Sequence, residues 1–176
     1  MLDLLYTIWI FSMVCFFFGV VYFLGVLLIP VWLSWQMSST PQFHIGYANG
    51  ANRCSRNVAS AAWVIFNPSN EFLDVRGIFL SRATNNLVEY EAVITLMTNA
   101  STLGIRSLVV RLDSELIVSQ LTLCYSIFHP TLYQKYLRVR FLERSFNFIS
   151  YEHIPRTLNS FVDSLANEIL DWHLTR

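Results

Sequence analysis

The chain has 176 residues, of which 54% are hydrophobic and only 14% charged, with twelve basic and twelve acidic side chains in balance. Soluble domains average roughly 25% charged residues, so this is not an ordinary soluble composition throughout. Zero net charge speaks against tight non-specific nucleic-acid binding, which phosphate contacts dominate, while leaving room for a local basic patch. Cys15, Cys54 and Cys124, an odd set without paired spacing, speak against a disulfide framework or a zinc site, and no disulfide partner is expected.

The apolar excess sits at the N-terminus. No charged side chain occurs from Leu4 to Trp35, a run of 32 residues, whereas about 20 suffice for a helix to cross a bilayer. A cleaved signal peptide would carry a basic start and an apolar stretch of about 7–15 residues. Here the first basic residue is Arg53. Residues 1–38 are therefore predicted to be a hydrophobic transmembrane segment, partnered by lipid through residues 4–35 and ended or kinked near Pro30. A T-rich exon read as protein would give the same composition, and that reading stays open. Arg53 and Arg56 are the only basic residues near this segment, so the positive-inside tendency places residues 39–176 on the cytosolic side of a membrane anchor.

Residues 39–176 read as one domain, large enough for its own core. A strand is predicted at Phe43–Asn49, then a turn at Gly50–Ser55 and a second strand at Val58–Phe66. The turn Asn67-Pro68-Ser69-Asn70 leads to a third strand at Phe72–Leu80. Short links make these an antiparallel meander. A helix starts at Thr84-Asn85-Asn86, carries Val88, Ala92, Leu96 and Ala100 at helical spacing, and stops at Gly104. A strand at Arg106–Leu112, helices at Ser114–Leu121 and Thr131–Phe146, a strand at Phe148–Ile154 and a helix at Ser160–Leu174 complete the order. That order suits a mixed sheet with helices on its faces.

Four positions stand out by placement. Asn49 ends the first strand, Glu89 lies early in the first helix, Asp113 follows the fourth strand, and Asp163 lies early in the last helix. Three carboxylates and a carboxamide converging on one sheet edge would make an oxygen-rich pocket for a hard divalent cation. Each also has a plainer reading. Glu89 and Asp163 can simply compensate helix dipoles, and Asp113 can cap the following helix.

The motifs resemble the RNase H type 1 family, in its archaeal-like and plant retroelement-derived branch. Tyr47-Ala48-Asn49-Gly50-Ala51 is similar to the family's first-strand signature, which has Asp before the Gly. Thr84-Asn85-Asn86 with Glu89-Tyr90, Leu112-Asp113-Ser114, His153-Ile154-Pro155-Arg156, Asn159, and Asp163-Ser164-Leu165-Ala166-Asn167 follow in the family's order across residues 43–170. The resemblance implies a five-stranded mixed sheet, three antiparallel strands then two parallel, flanked by helices. It implies metal-dependent hydrolysis of the RNA strand of RNA–DNA hybrids, with two Mg²⁺ or Mn²⁺ ions about 3.5–4 Å apart. It makes Glu89, Asp113, Asp163 and the Asn49 position both catalytic and metal-ligating. It also implies that Asn85, Asn86 and Asn159 contact the hybrid, and that His153 assists proton transfer or product release. An isolated His beside a strand end is also compatible with a purely structural role.

Asn49 departs from the pattern. It offers one neutral carbonyl oxygen where Asp offers two charged ones, so four formal charges fall to three. The expectation is a site reduced to one cation and cleavage reduced by several orders of magnitude, with hybrid or duplex binding retained. Ser60 and Ala62 replace glycines of the family's second strand and are expected to crowd a backbone that approaches the hybrid. Glu91 is expected to point away from Glu89 on the helix. Lys135, Arg138, Arg140 and Arg144 form either a solvated helix face or a phosphate-tracking one. The alternative function is a membrane-tethered, non-catalytic interaction domain.

Overall fold

The computed structural model describes residues 42–81 and 83–175. The hydrophobic segment 1–38 and its predicted membrane passage lie outside the described residues. Among the described residues, no helix is long and apolar enough to cross a membrane.

The elements are β1 (His44–Arg53), β2 (Val58–Phe66), β3 (Phe72–Ser81), α1 (Asn85–Thr102), β4 (Ser107–Leu112), α2 (Glu115–Leu121), α3 (Pro130–Glu143), β5 (Phe148–His153) and α4 (Ser160–Leu174). They form one five-stranded sheet in the order β3-β2-β1-β4-β5. The pairs β1–β2 and β2–β3 are antiparallel, while β1–β4 and β4–β5 are parallel. The expected mixed sheet is therefore present.

Alternation along the strands explains the two layers of helices. On one face, Ala59, Ala61, Trp63 and Ile65 of β2 and Leu108 and Val110 of β4 pack against α1, α2 and α3. On the other, Ala51, Ala62 and Val64 receive Val162, Ala166 and Leu170 of α4. With both faces covered, central strands must be apolar on both sides, and β2 is buried from Ala59 to Ile65. Gly104, at φ +77°, ends the α1 segment as its position predicts.

Three expectations need correction. The turn at Gly50–Ser55 is not a turn at its start. β1 continues to Arg53, because Gly50, Ala51, Asn52 and Arg53 pair with Ala61, Ser60, Ala59 and Val58. Asn49 thus lies within β1, and what ends beside it is the β4 pairing, whose last register is Tyr47 with Arg111. Ser60 and Ala62 do not crowd a hybrid-facing backbone. Both are fully buried beneath α4, and the Ser60 hydroxyl donates to the Ala166 carbonyl at 2.5 Å.

Candidate active site

The site forms where β1 outruns β4, at the carboxyl ends of these parallel strands, the usual place for ligands in open α/β sheets. Neighbouring β1 residues face opposite sides of the sheet. Gly50 faces α1, where a Cβ would stand 2.7 Å from Val88 Cγ1 and 2.8 Å from the Glu89 nitrogen. Glycine here permits close backbone approach, and that approach brings Glu89 to the strand. Asn49 faces α4 and meets Asp163. Asp113 arrives directly from the end of β4. Asn49, Asn85, Glu89, Asp113 and Asp163 all line one cleft, together with Asn52, Arg53, Arg156 and Asn167.

Asn49 is 6% exposed, and its contacts settle which end of the amide points where. Its Nδ2 donates to Asp163 Oδ1 at 2.8 Å, and its Oδ1 accepts the Gly50 N–H at 2.9 Å. Rotating the amide would set oxygen against carboxylate and N–H against N–H. Asp163 Oδ1 also accepts from Arg156 Nη2 at 3.2 Å, and the Asp163 backbone carbonyl accepts from Asn167 Nδ2 at 2.8 Å. Asp163 is thereby engaged by protein donors on the side facing Asn49.

The other half of the cleft is different. Glu89 Oε2 is buried and has no hydrogen-bond partner. Burial pushes the Glu89 carboxyl above the ordinary carboxylate range; a hydrogen bond with Ser114 opposes that shift, and the nearby Asp113 charge adds to it. Asp113 Oδ1 accepts from Asn159 Nδ2 at 2.9 Å.

Among the described residues, no three His, Cys, Asp or Glu side chains are grouped so as to hold a metal ion. A cation between positions 49 and 163 would meet the Asn49 N–H, a donor and not a ligand. Glu89 and Asp113 alone fit one hard cation, since an orphaned buried carboxylate oxygen beside a second carboxylate is a favourable environment for positive charge.

The remaining predicted residues are distributed as follows. Asn85 and Asn86 line an adjoining cleft with Asn52, Cys54, Asn57 and Thr84. Asn159 is 1% exposed and lies beneath the cleft, where its Nδ2 also donates to the Ala48 carbonyl at 3.0 Å. Its place is that of a positioning residue linking β1 to Asp113, not a surface contact. His153, at the end of β5, is exposed and is not among the cleft-lining residues. Glu91 points away from Glu89 as expected and pairs with Lys135 of α3. On the same basic helix Arg140 pairs with Glu143 at 2.9 Å, so part of its charge is locally neutralised. Arg156, Asn52 and Asn167 entered the site without an assigned role in the sequence. Asn167 follows Asp163 by one helical turn, a spacing that could have pointed to it.

Comparison with known proteins agrees with this architecture. The family model described as Reverse transcriptase-like matches residues 47–169. The ribonuclease HI of Halobacterium salinarum is 36% identical over 125 residues, covering 71% of this chain and 63% of that protein. The bifunctional protein Rv2228c of Mycobacterium tuberculosis is 37% identical over 92 residues, 52% of this chain and 25% of that protein. The chain thus spans less than two thirds of either relative. Among solved structures, RNase H1 of Halobacterium salinarum superimposes with a TM-score of 0.71 at 35% identity, covering 73% of this chain and 97% of that one. LC11-RNase H1 in complex with RNA/DNA hybrid does so with a TM-score of 0.70 at 30% identity, covering 74% and 99%. A match over most of the domain, in sequence and in topology, places the chain in the RNase H type 1 family, within the group described as reverse transcriptase-like.

Proposed function

We propose that the domain binds RNA–DNA hybrid in the cleft between β1, α1 and α4, and that its hydrolysis of the RNA strand is strongly weakened. The observation that carries this reading is the Asn49 amide, which donates to Asp163 at the place where the family has a fourth carboxylate. Asn85 and Asn86 stand beside the cleft with amides suited to phosphate and sugar oxygens. Glu89 and Asp113 would hold a single Mg²⁺ or Mn²⁺. When bound, such an ion supplies positive charge to a phosphodiester oxygen and acidifies water. The second ion of a paired arrangement has no complete ligand set. The solved relative in complex with an RNA/DNA hybrid supports the choice of ligand.

The test is fluorescence anisotropy with the full chain in a mild non-ionic detergent, comparing a labelled RNA–DNA hybrid with a DNA duplex of the same sequence. The hybrid is expected to bind more tightly, and the Asn85→Ala/Asn86→Ala double variant to lose about tenfold in affinity, roughly 1.4 kcal/mol. Equal affinity for both duplexes, unchanged by the double variant, refutes the reading.

We further propose that the uncharged run at residues 4–35 anchors the chain to a membrane with the domain on the cytosolic side. Recovery of the native product from membranes only after detergent supports this. Release by alkaline carbonate rejects it.

A further inference from the structure

We infer that Asn49, Asp163 and Arg156 form a metal-free clasp that takes over the structural work of a cation, so that hybrid binding needs no divalent ion. The inference rests on the hybrid-binding reading and adds a statement about what regulates it.

Consider first what an acid at position 49 would require. Held by the same Gly50 N–H, its second oxygen would stand where Asn49 Nδ2 now lies, 2.8 Å from Asp163 Oδ1. Two ionised oxygens at that distance need a proton or a cation between them. The carboxamide removes the need, because it presents an N–H to the same oxygen. It joins β1 to α4 with a hydrogen bond to a charged acceptor, a stronger class than a neutral one.

Arg156 adds the second component. Its guanidinium reaches the same Asp163 oxygen at 3.2 Å. Pro155 precedes it and breaks off β5, so Arg156 enters the short 3₁₀ turn Arg156–Asn159 that leads straight into α4. The positive charge is therefore delivered from the turn that also carries the buried Asn159. The cleft lining now holds Glu89, Asp113 and Asp163 against Arg53 and Arg156. Arg53 is also paired with Asp171 at 3.3 Å, so Arg156 is the cation committed to Asp163, and an additional carboxylate at 49 would add one more negative charge that an incoming phosphodiester must overcome.

Two measurements on the full chain in mild detergent test this, one in EDTA and one in millimolar Mg²⁺. Wild-type affinity for the RNA–DNA hybrid is expected to agree within about threefold between the two conditions. An ion held by Glu89 and Asp113 raises the melting temperature of both proteins in Mg²⁺, so the readout is the difference between them: Asn49→Asp should melt lower than wild type in EDTA and gain clearly more from Mg²⁺. Should Asn49→Asp fail to fold without the ion, Asp163→Asn and Asp163→Ala provide a second comparison in EDTA. Asp163→Asn keeps an acceptor for Asn49 Nδ2 but loses the charge that Arg156 and the amide share, and should melt between wild type and Asp163→Ala, which has no acceptor and should melt lowest. A fall of about tenfold or more in wild-type hybrid affinity on chelation overturns the inference. So does a Mg²⁺-induced rise in wild-type melting temperature as large as that of Asn49→Asp, or equal melting of the two Asp163 variants. Absence of hybrid binding in both conditions would instead refute the functional reading, and the melting comparisons would still decide whether the clasp exists.

Discussion

Replacing Gly50 by alanine probes the contact that assembles the site. The added Cβ would lie 2.7 Å from Val88 Cγ1 and 2.8 Å from both the Glu89 nitrogen and the Val88 carbonyl carbon, where ordinary contact begins near 3.4 Å. A side-chain methyl can rotate away, but the other two atoms are backbone at the start of α1, so strand and helix must part. Overpacking of this kind costs about 1–3 kcal/mol. Gly50 is not at positive φ, so alanine suffers no dihedral strain there and recovers roughly 0.5–1 kcal/mol of the conformational freedom that glycine loses in a strand. The net expectation is a loss of about 1–2 kcal/mol, or a melting temperature lower by about 4–8 °C for a domain of this size. Thermal unfolding of the full chain followed by circular dichroism measures it. A Gly50→Ala protein as stable as wild type, or more so, would refute the claim that backbone approach at this point sets the Glu89 position.

Three further outcomes follow from named contacts. Glu89 has its carboxyl raised chiefly by burial and further by Asp113, so the folded state favours the protonated form. Its stabilising effect is full at low pH and is lost as pH rises through the folded value. Glu89→Gln should therefore be more stable than wild type at neutral pH in EDTA, with the gap closing in acid; a gap independent of pH would contradict this. Ser60→Gly, which loses the hydrogen bond to Ala166, should cost about 1–2 kcal/mol without improving hybrid affinity, and a gain in affinity would revive the crowding explanation. Asn159→Ala removes the shared donor to Ala48 and Asp113 and should cost about 1–3 kcal/mol in denaturant unfolding; an unperturbed midpoint would remove its positioning role.

Periodicity made much of the fold legible. β2 at Val58–Phe66 and α4 at Ser160–Leu174 have the limits that their apolar patterns predict, because β2 is bounded by turn residues and α4 follows a proline-led turn. β1 outruns its predicted end for a physical reason. Gly50 reads as a turn residue when only neighbours in sequence are considered, yet the structure uses it to admit α1. The same limit hid the fate of Ser60, since a hydroxyl can face a ligand or a helix carbonyl and only packing decides. The acidic positions could be picked out because strand ends and helix starts of this topology meet on one edge. Their local chemistry could not. That Asn49 binds Asp163, 114 positions away, that Arg156 shares the same oxygen, and that Asn159 is buried all depend on tertiary geometry. Glu91 was readable, because helical rotation alone separates it from Glu89.

Cleavage of a labelled RNA–DNA hybrid in Mg²⁺, by the full chain and by its Asn49→Asp variant under single-turnover conditions, bears most directly on the identity of residue 49. The restored carboxylate should raise the cleavage rate by about 100-fold or more, at least roughly 2.7 kcal/mol in barrier height. Equal rates in the two proteins would contradict the account.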